Sequence, residues 1–160
     1  VTSENAAAEK VGKKWVLAID PGSDKVGYAV VNFDLTHGEM GIAYLSEMQK
    51  VFRRFCSGSQ VENLHAIVMG NGTAAAVLCR LYNDLQLEIP VRFTEERNTT
   101  FKARGRYFAD HPPTGFWRFV PLGLQTPPRP VDDYAALLIG EKYLVEQKLA
   151  EFSQDKASLP

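Results

Sequence analysis

The chain has 160 residues, 45% of them hydrophobic and 23% charged, which suits one ordinary globular core and excludes a disordered or fibrous chain. A net charge of −1 and a pI near 6.3 exclude a globally basic nucleic-acid binder, so any such role has to rest on local charge. The two cysteines, Cys56 and Cys79, each lie in an apolar-periodic stretch and read as buried free thiols in a reducing compartment rather than a disulfide framework.

Residues 1–13 are small, polar and charged, and are expected to form a flexible tail before a single domain over 14–150, with a second short tail at 151–160. They lack the apolar core of a signal peptide, and no apolar run in the chain is long enough to span a bilayer, so a cytoplasmic protein is expected. Trp15 to Ile19 is apolar on both faces and short, as a strand buried on both sides should be, and Asp20-Pro21-Gly22-Ser23 stops it. A second strand from Gly27 to Phe33 and a third near Gly41 to Leu45, joined through His37-Gly38, continue as an antiparallel meander.

The period then changes. Met48, Val51, Phe52 and Phe55 recur at helical spacing up to Ser57-Gly58-Ser59. Ala66 to Met69 is another buried strand ending in Gly70-Asn71-Gly72, after which Thr73 is placed to cap a helix carrying Val77, Leu78, Leu81 and Leu85. Pro90 to Phe93 reads as a fifth strand, and a helix from Asn98 or Thr99 runs through Phe101, Arg104 and Phe108 until Pro112-Pro113 ends it. Pro112 to Pro130 is rich in proline and aromatics, has no period, and reads as an ordered functional loop. Asp132 to Leu149 distributes Tyr134, Leu138, Leu144, Val145 and Leu149 as a long amphipathic helix would. The order βββαβαβαα predicts an α/β fold with a mixed five-stranded sheet, its first three strands antiparallel and its first strand central.

Three acidic sites fall at element ends. Asp20 closes the first buried strand at the carboxyl edge of the sheet, where open α/β folds bind ligands, although an Asp there also makes an Asx turn. Glu95 and Glu96 directly follow strand five, and in extended chain only one of two neighbours reaches a given face. Asp132 and Asp133 open the last helix, a position that acids also occupy simply to cap it and favour its dipole. Brought together, hard oxygen ligands of this number suit Mg²⁺ or Mn²⁺ acting on a phosphodiester. His37, His65 and His111 show no ligand spacing, and there is no cysteine cluster for zinc. From Arg92 to Arg129 basic residues outnumber acids, and Arg97, Lys102, Arg104 and Arg106 form a candidate phosphate-facing patch. Phe116-Trp117-Arg118-Phe119 offers base stacking or a homodimer contact, with packing over the core as the default expectation.

Ile19-Asp20-Pro21-Gly22-Ser23-Asp24-Lys25-Val26-Gly27 resembles the opening motif of the YqgF and RuvC-type resolvase superfamily. Thr94-Glu95-Glu96-Arg97-Asn98-Thr99-Thr100 is similar to the YqgF motif DERLTT, and Asp132-Asp133-Tyr134-Ala135-Ala136 to its closing D-S-x-A-A. The resemblance covers roughly Trp15 to Leu149. It implies a ribonuclease-H-like fold and a Mg²⁺- or Mn²⁺-dependent nuclease acting on structured nucleic acid, either a Holliday junction or precursor ribosomal RNA. The acids carried over are Asp20, Glu96 and Asp132, as catalytic and metal-holding residues, with Arg97 beside them and Glu95 and Asp133 as additional acids. The chain departs from the pattern where Glu95 replaces Asp and Asn98 replaces Leu. Its 28 residues between Ala103 and Asp132 also form a longer connection than the family's. Strand four ends without the acid that RuvC carries there, as in YqgF. The alternative of another class is a noncatalytic nucleic-acid-binding YqgF-like module. The actin-like and sugar-kinase ATPases share the DxG turn, but they use two such domains and a second phosphate motif that this sequence lacks.

Overall fold

The computed structural model describes residues 14–95 and 99–157. Five strands, β1 (Trp15–Asp20), β2 (Lys25–Asn32), β3 (His37–Tyr44), β4 (Leu64–Gly70) and β5 (Val91–Thr94), form one sheet in the order β3-β2-β1-β4-β5. Pairing is antiparallel for β1 with β2 and for β2 with β3, and parallel for β1 with β4 and for β4 with β5, so only β2 runs against the rest. This is the mixed sheet expected of a ribonuclease-H-like domain, and β1 is its central strand. Four helices cover it: α1 (Met48–Phe55), α2 (Ala75–Asn83), α3 (Thr99–Asp110) and α4 (Asp132–Ala157).

The period of two along each strand separates two cores. Leu17, Ile19, Ile67 and Met69 face α1 and α2, where they meet Met48, Phe52 and Leu78. Val16, Ala18, Ala29, Val31, Ala66 and Val68 face α3 and α4. β1 contributes to both, which is why all but its last residue are buried. Cys56 is buried and Cys79 half-buried, both as free thiols, and burial pushes the Cys56 thiol up to about 12.

Several local expectations are corrected. The turn between β2 and β3 lies at 33–36 rather than at His37-Gly38, which open β3. Asp34 Oδ1 accepts from the Thr36 backbone N–H at 3.0 Å, the Asn32 N–H donates to Thr36 O at 2.8 Å, and Leu35 takes φ 66°. This Asx-type turn outcompetes the glycine signal two residues later. Thr73 does not cap α2. The cap position is Ala74 without a side-chain bond, and the loop before it is tied instead to the β1 turn, through the Ala74 N–H to Pro21 O at 3.4 Å.

The last helix continues to Ala157, through most of the expected 151–160 tail. It is not amphipathic along the stripe read from the sequence. Residues Asp133 to Leu137 are buried in succession, whereas Val145 and Leu149 are exposed. The first turns of α4 lie against the sheet on one side and against α3, Val131 and the Arg129 ion pair on the other, which buries successive residues. The expected tail at 1–13 lies outside the described residues. Among the described residues no helix is long and apolar enough to cross a membrane.

Candidate metal and nucleic-acid site

The carboxyl ends of β1, β4 and β5 form one edge of the sheet. Asp20, two residues beyond Ala18, and Gly70, two beyond Val68, share the α4 face, and Thr94 is level with Gly70 in the β4–β5 register. Opposite Asp20 in the antiparallel pair stands Gly27. The start of α4 presses directly on this glycine: a Cβ built there would stand 1.9 Å from the Asp132 carbonyl oxygen and 2.8 Å from the Asp133 nitrogen. Further along, a Cβ at Gly140 would stand 2.6 Å from Val31 Cγ2 and 2.9 Å from Ala18 Cβ. Two missing side chains thus let the helix lie on the strand backbone, and Asp132 arrives beside the strand pair that carries Asp20. Both acids are partly exposed.

The two aspartates at the α4 start divide. Asp133 is buried at 4% exposure; its Oδ1 and Oδ2 accept from Arg129 Nη1 and Nη2 at 3.1 and 3.0 Å, and Oδ1 also accepts the Tyr134 N–H at 3.0 Å. The Arg129 guanidinium also lies 5.4 Å from the Tyr107 ring and 5.6 Å from the Tyr134 ring. The hydrogen bonds to Asp133 raise the Arg129 pKa still further above its ordinary value. Asp133 and Arg129 therefore form a clamp joining the long connection to α3 and α4. Asp132, one residue earlier, lines a recess of about 380 Å³ together with Arg104, Arg129 and Pro130.

Of the other expected site residues, Glu96 and Arg97 lie outside the described residues. The Glu95 side chain is exposed, and its carbonyl accepts from Lys142 Nζ of α4 at 2.6 Å. Lys102 and Arg104 are exposed on α3. Arg106 is engaged internally, with Nη1 3.3 Å from Glu141 Oε1 and Nε 4.0 Å from Asp110 Oδ1. Among the described residues no three His, Cys, Asp or Glu side chains group closely enough to hold a metal.

Two features escape sequence reasoning. Thr94 enters the sequence reading only as the first residue of the DERLTT-like stretch, yet its Oγ1 is buried at the same sheet edge with no hydrogen-bond partner among the described residues. Lys142 carries no signal in the sequence, and only the crossing of α4 over the sheet reveals its tie to the Glu95 carbonyl. The aromatic run is also unlike its default expectation: Phe116, Trp117 and Phe119 are 78%, 60% and 82% exposed and do not pack over the core.

No family model matches the chain, and no curated protein matches it. Among solved structures it is similar to Thermus thermophilus RuvC in complex with a Holliday junction substrate, at 15% identity and a TM-score of 0.49, over 85% of this chain and 96% of that one. A second Thermus thermophilus RuvC structure is similar at 14% identity and a TM-score of 0.45, over the same shares of the two chains.

Proposed function

We propose that this chain is a YqgF-type nuclease that cuts structured nucleic acid, a DNA junction or precursor ribosomal RNA, using Mg²⁺ or Mn²⁺ held by Asp20, Asp132 and Glu96. The observation that supports the reading is the contact of the α4 backbone at Asp132 with Gly27, the register partner of Asp20. The donor set fits such an ion. Mg²⁺ takes one or two carboxylates and keeps its remaining positions for water and substrate phosphate. Asp20 and Asp132 are partly open to solvent. The bound ion would supply an activated water and charge stabilisation at the leaving oxygen.

The chain's own residues do the rest. Asp20 ends the central strand, which is paired on both sides and buried along all its other residues, so its backbone position is fixed. Asp132 is fixed by the helix seated on Gly27. Lys102 and Arg104 are exposed cations available for backbone phosphates, and Arg104 shares a recess with Asp132. The resemblance adds Glu96 as the third acid, with Arg97 beside it, and Glu95 is the alternative carboxylate. The orphaned Thr94 hydroxyl supports a site that is completed on binding, since a buried unpaired hydroxyl costs about 1–3 kcal/mol until a partner satisfies it.

The test offers the protein a four-way DNA junction, a linear duplex and a precursor-rRNA fragment across a titration of Mg²⁺ or Mn²⁺. Cleavage of a structured substrate, abolished by chelation and by Asp20→Asn while binding persists, is the expected result. Asn keeps the turn-forming ability of Asp, so full cleavage by the variant would reduce Asp20 to a turn residue. Binding without cleavage at any metal concentration would leave the noncatalytic module.

A further inference from the structure

We infer that the cavity between α3 and the 111–128 segment is a pocket for one unpaired nucleobase, so that the strand being cut is taken with a base turned out of its stack. The place of this pocket in a reaction rests on the nuclease reading, whereas its chemistry does not. The cavity measures about 550 Å³, and its walls include Tyr107, His111, Pro113 and Trp117. That volume lies in the range of small-ligand sites. The walls are flat. The His111 ring lies on Tyr107 with centroids 4.6 Å apart and planes at 13°, and Trp117 is 60% exposed although it lines the cavity. Flat, exposed aromatic surface of this kind takes planar rings by stacking. Thr114 and Thr126 add hydroxyl groups at the edges, as recognition of a base edge requires.

The pocket is held ready. Gln125, buried at 8% exposure, donates from Nε2 to Trp117 O at 2.9 Å and to Val120 O at 2.6 Å, which fixes the turn that presents Trp117. Arg129 fastens the far end of the same connection through Asp133. Charge then selects the occupant. Thr126 and Pro128 are shared with the recess that holds Arg104 and Asp132, so the aromatic cavity continues toward the exposed Arg104 guanidinium and the proposed acid edge. A ligand that suits both parts has a planar apolar end joined to an anionic one, which is a nucleotide within a strand. An apolar peptide satisfies the first part alone, and a fully paired duplex offers no free ring to it.

The test measures, in chelator, the affinity of a short labelled single-stranded oligonucleotide and of the blunt duplex of the same sequence. Trp117→Ala is expected to weaken the single strand roughly tenfold and leave the duplex unchanged, with Trp117→Phe restoring most of the loss. Trp15 is buried, so quenching of the exposed tryptophan by the single strand reports directly on Trp117. Because Trp117 is exposed, the fold is expected to survive, and thermal unfolding checks it. Equal weakening of both ligands, no weakening, or no binding of the single strand would each overturn the pocket. The assay in chelator reads binding apart from cleavage. Selective, Trp117-dependent binding without cleavage would therefore remove the nuclease reading and keep the pocket, whereas cleavage with Trp117-insensitive binding would do the reverse.

Discussion

On one face of the sheet, α1 and α2 set Met48, Phe52 and Leu78 against Leu17, Ile19 and Met69; on the other, α3 and α4 lie over Ala18, Ala29 and Ala66, with glycines at 27 and 140. The first face is closed by large side chains that keep helix and strand backbones apart. The second also holds large side chains, Tyr134, Leu137 and Ile139 among them, but at Gly27 a missing side chain lets the α4 backbone touch the strand. Close approach brings a helix start, with its acids, to the edge of the sheet, and the aromatic cavity beside α3 and the Asp132 recess lie on this side. Large side chains thus fill both faces, and at Gly27 the absence of one sets where α4 begins on the strand pair.

Substitution on the two faces should separate these contributions. Phe52→Ala removes a fully buried ring from the first face and is expected to cost about 3–5 kcal/mol of unfolding free energy, read by urea denaturation, with cleavage per folded molecule unchanged. Loss of cleavage in the folded fraction would show that the faces are coupled. Gly27→Ala adds one methyl to the second face, against the Asp132 backbone. Its cost should approach the top of the ~1–3 kcal/mol range of overpacking, and cleavage should fall even where the protein is fully folded, because the α4 start must move away from Asp20. Unchanged cleavage by the folded variant would break the proposed pairing of Asp20 with Asp132. The smallest effect on stability belongs to the exposed rim: Lys102→Ala combined with Arg104→Ala should change unfolding by less than about 0.5 kcal/mol. The same pair should flatten the dependence of nucleic-acid affinity on salt, and an unaltered slope would remove these cations from the binding surface.

Much of this architecture is legible along the chain. The apolar run Trp15 to Ile19 predicts a central strand, and the switch from period two to helical spacing after Tyr44 predicts the meander followed by alternation. Those patterns are local, and each is repeated over enough residues to outweigh any single exception. The turn at 33–36 is less legible, because its bonds depend on Asp34 and Thr36 side chains that elsewhere are merely polar. In the candidate site, Asp20 and the Asp132-Asp133 pair stand out in sequence as acids at element ends, but the cationic segment that includes Arg104, Arg106 and Arg129 reads as one patch. The structure commits Arg129 to Asp133 and Arg106 to Glu141, and leaves Lys102 and Arg104 on the surface.

By itself the sequence determined which segments are strands and helices, that β1 lies at the centre, and that acids stand where strand and helix ends meet solvent. Those properties follow from residue size, apolarity and spacing, which act over a few neighbours. Only the tertiary structure decided that Asp133 is a clamp while Asp132 faces a recess, that Phe116, Trp117 and Phe119 stay outside the core, and that Lys142 reaches the end of β5. Adjacent residues on a helix point about 100° apart, so which of two aspartates is buried depends on where the helix axis comes to rest. That position is set by the absence of side chains at Gly27 and Gly140, which lie 113 positions apart in the chain and act on the same helix.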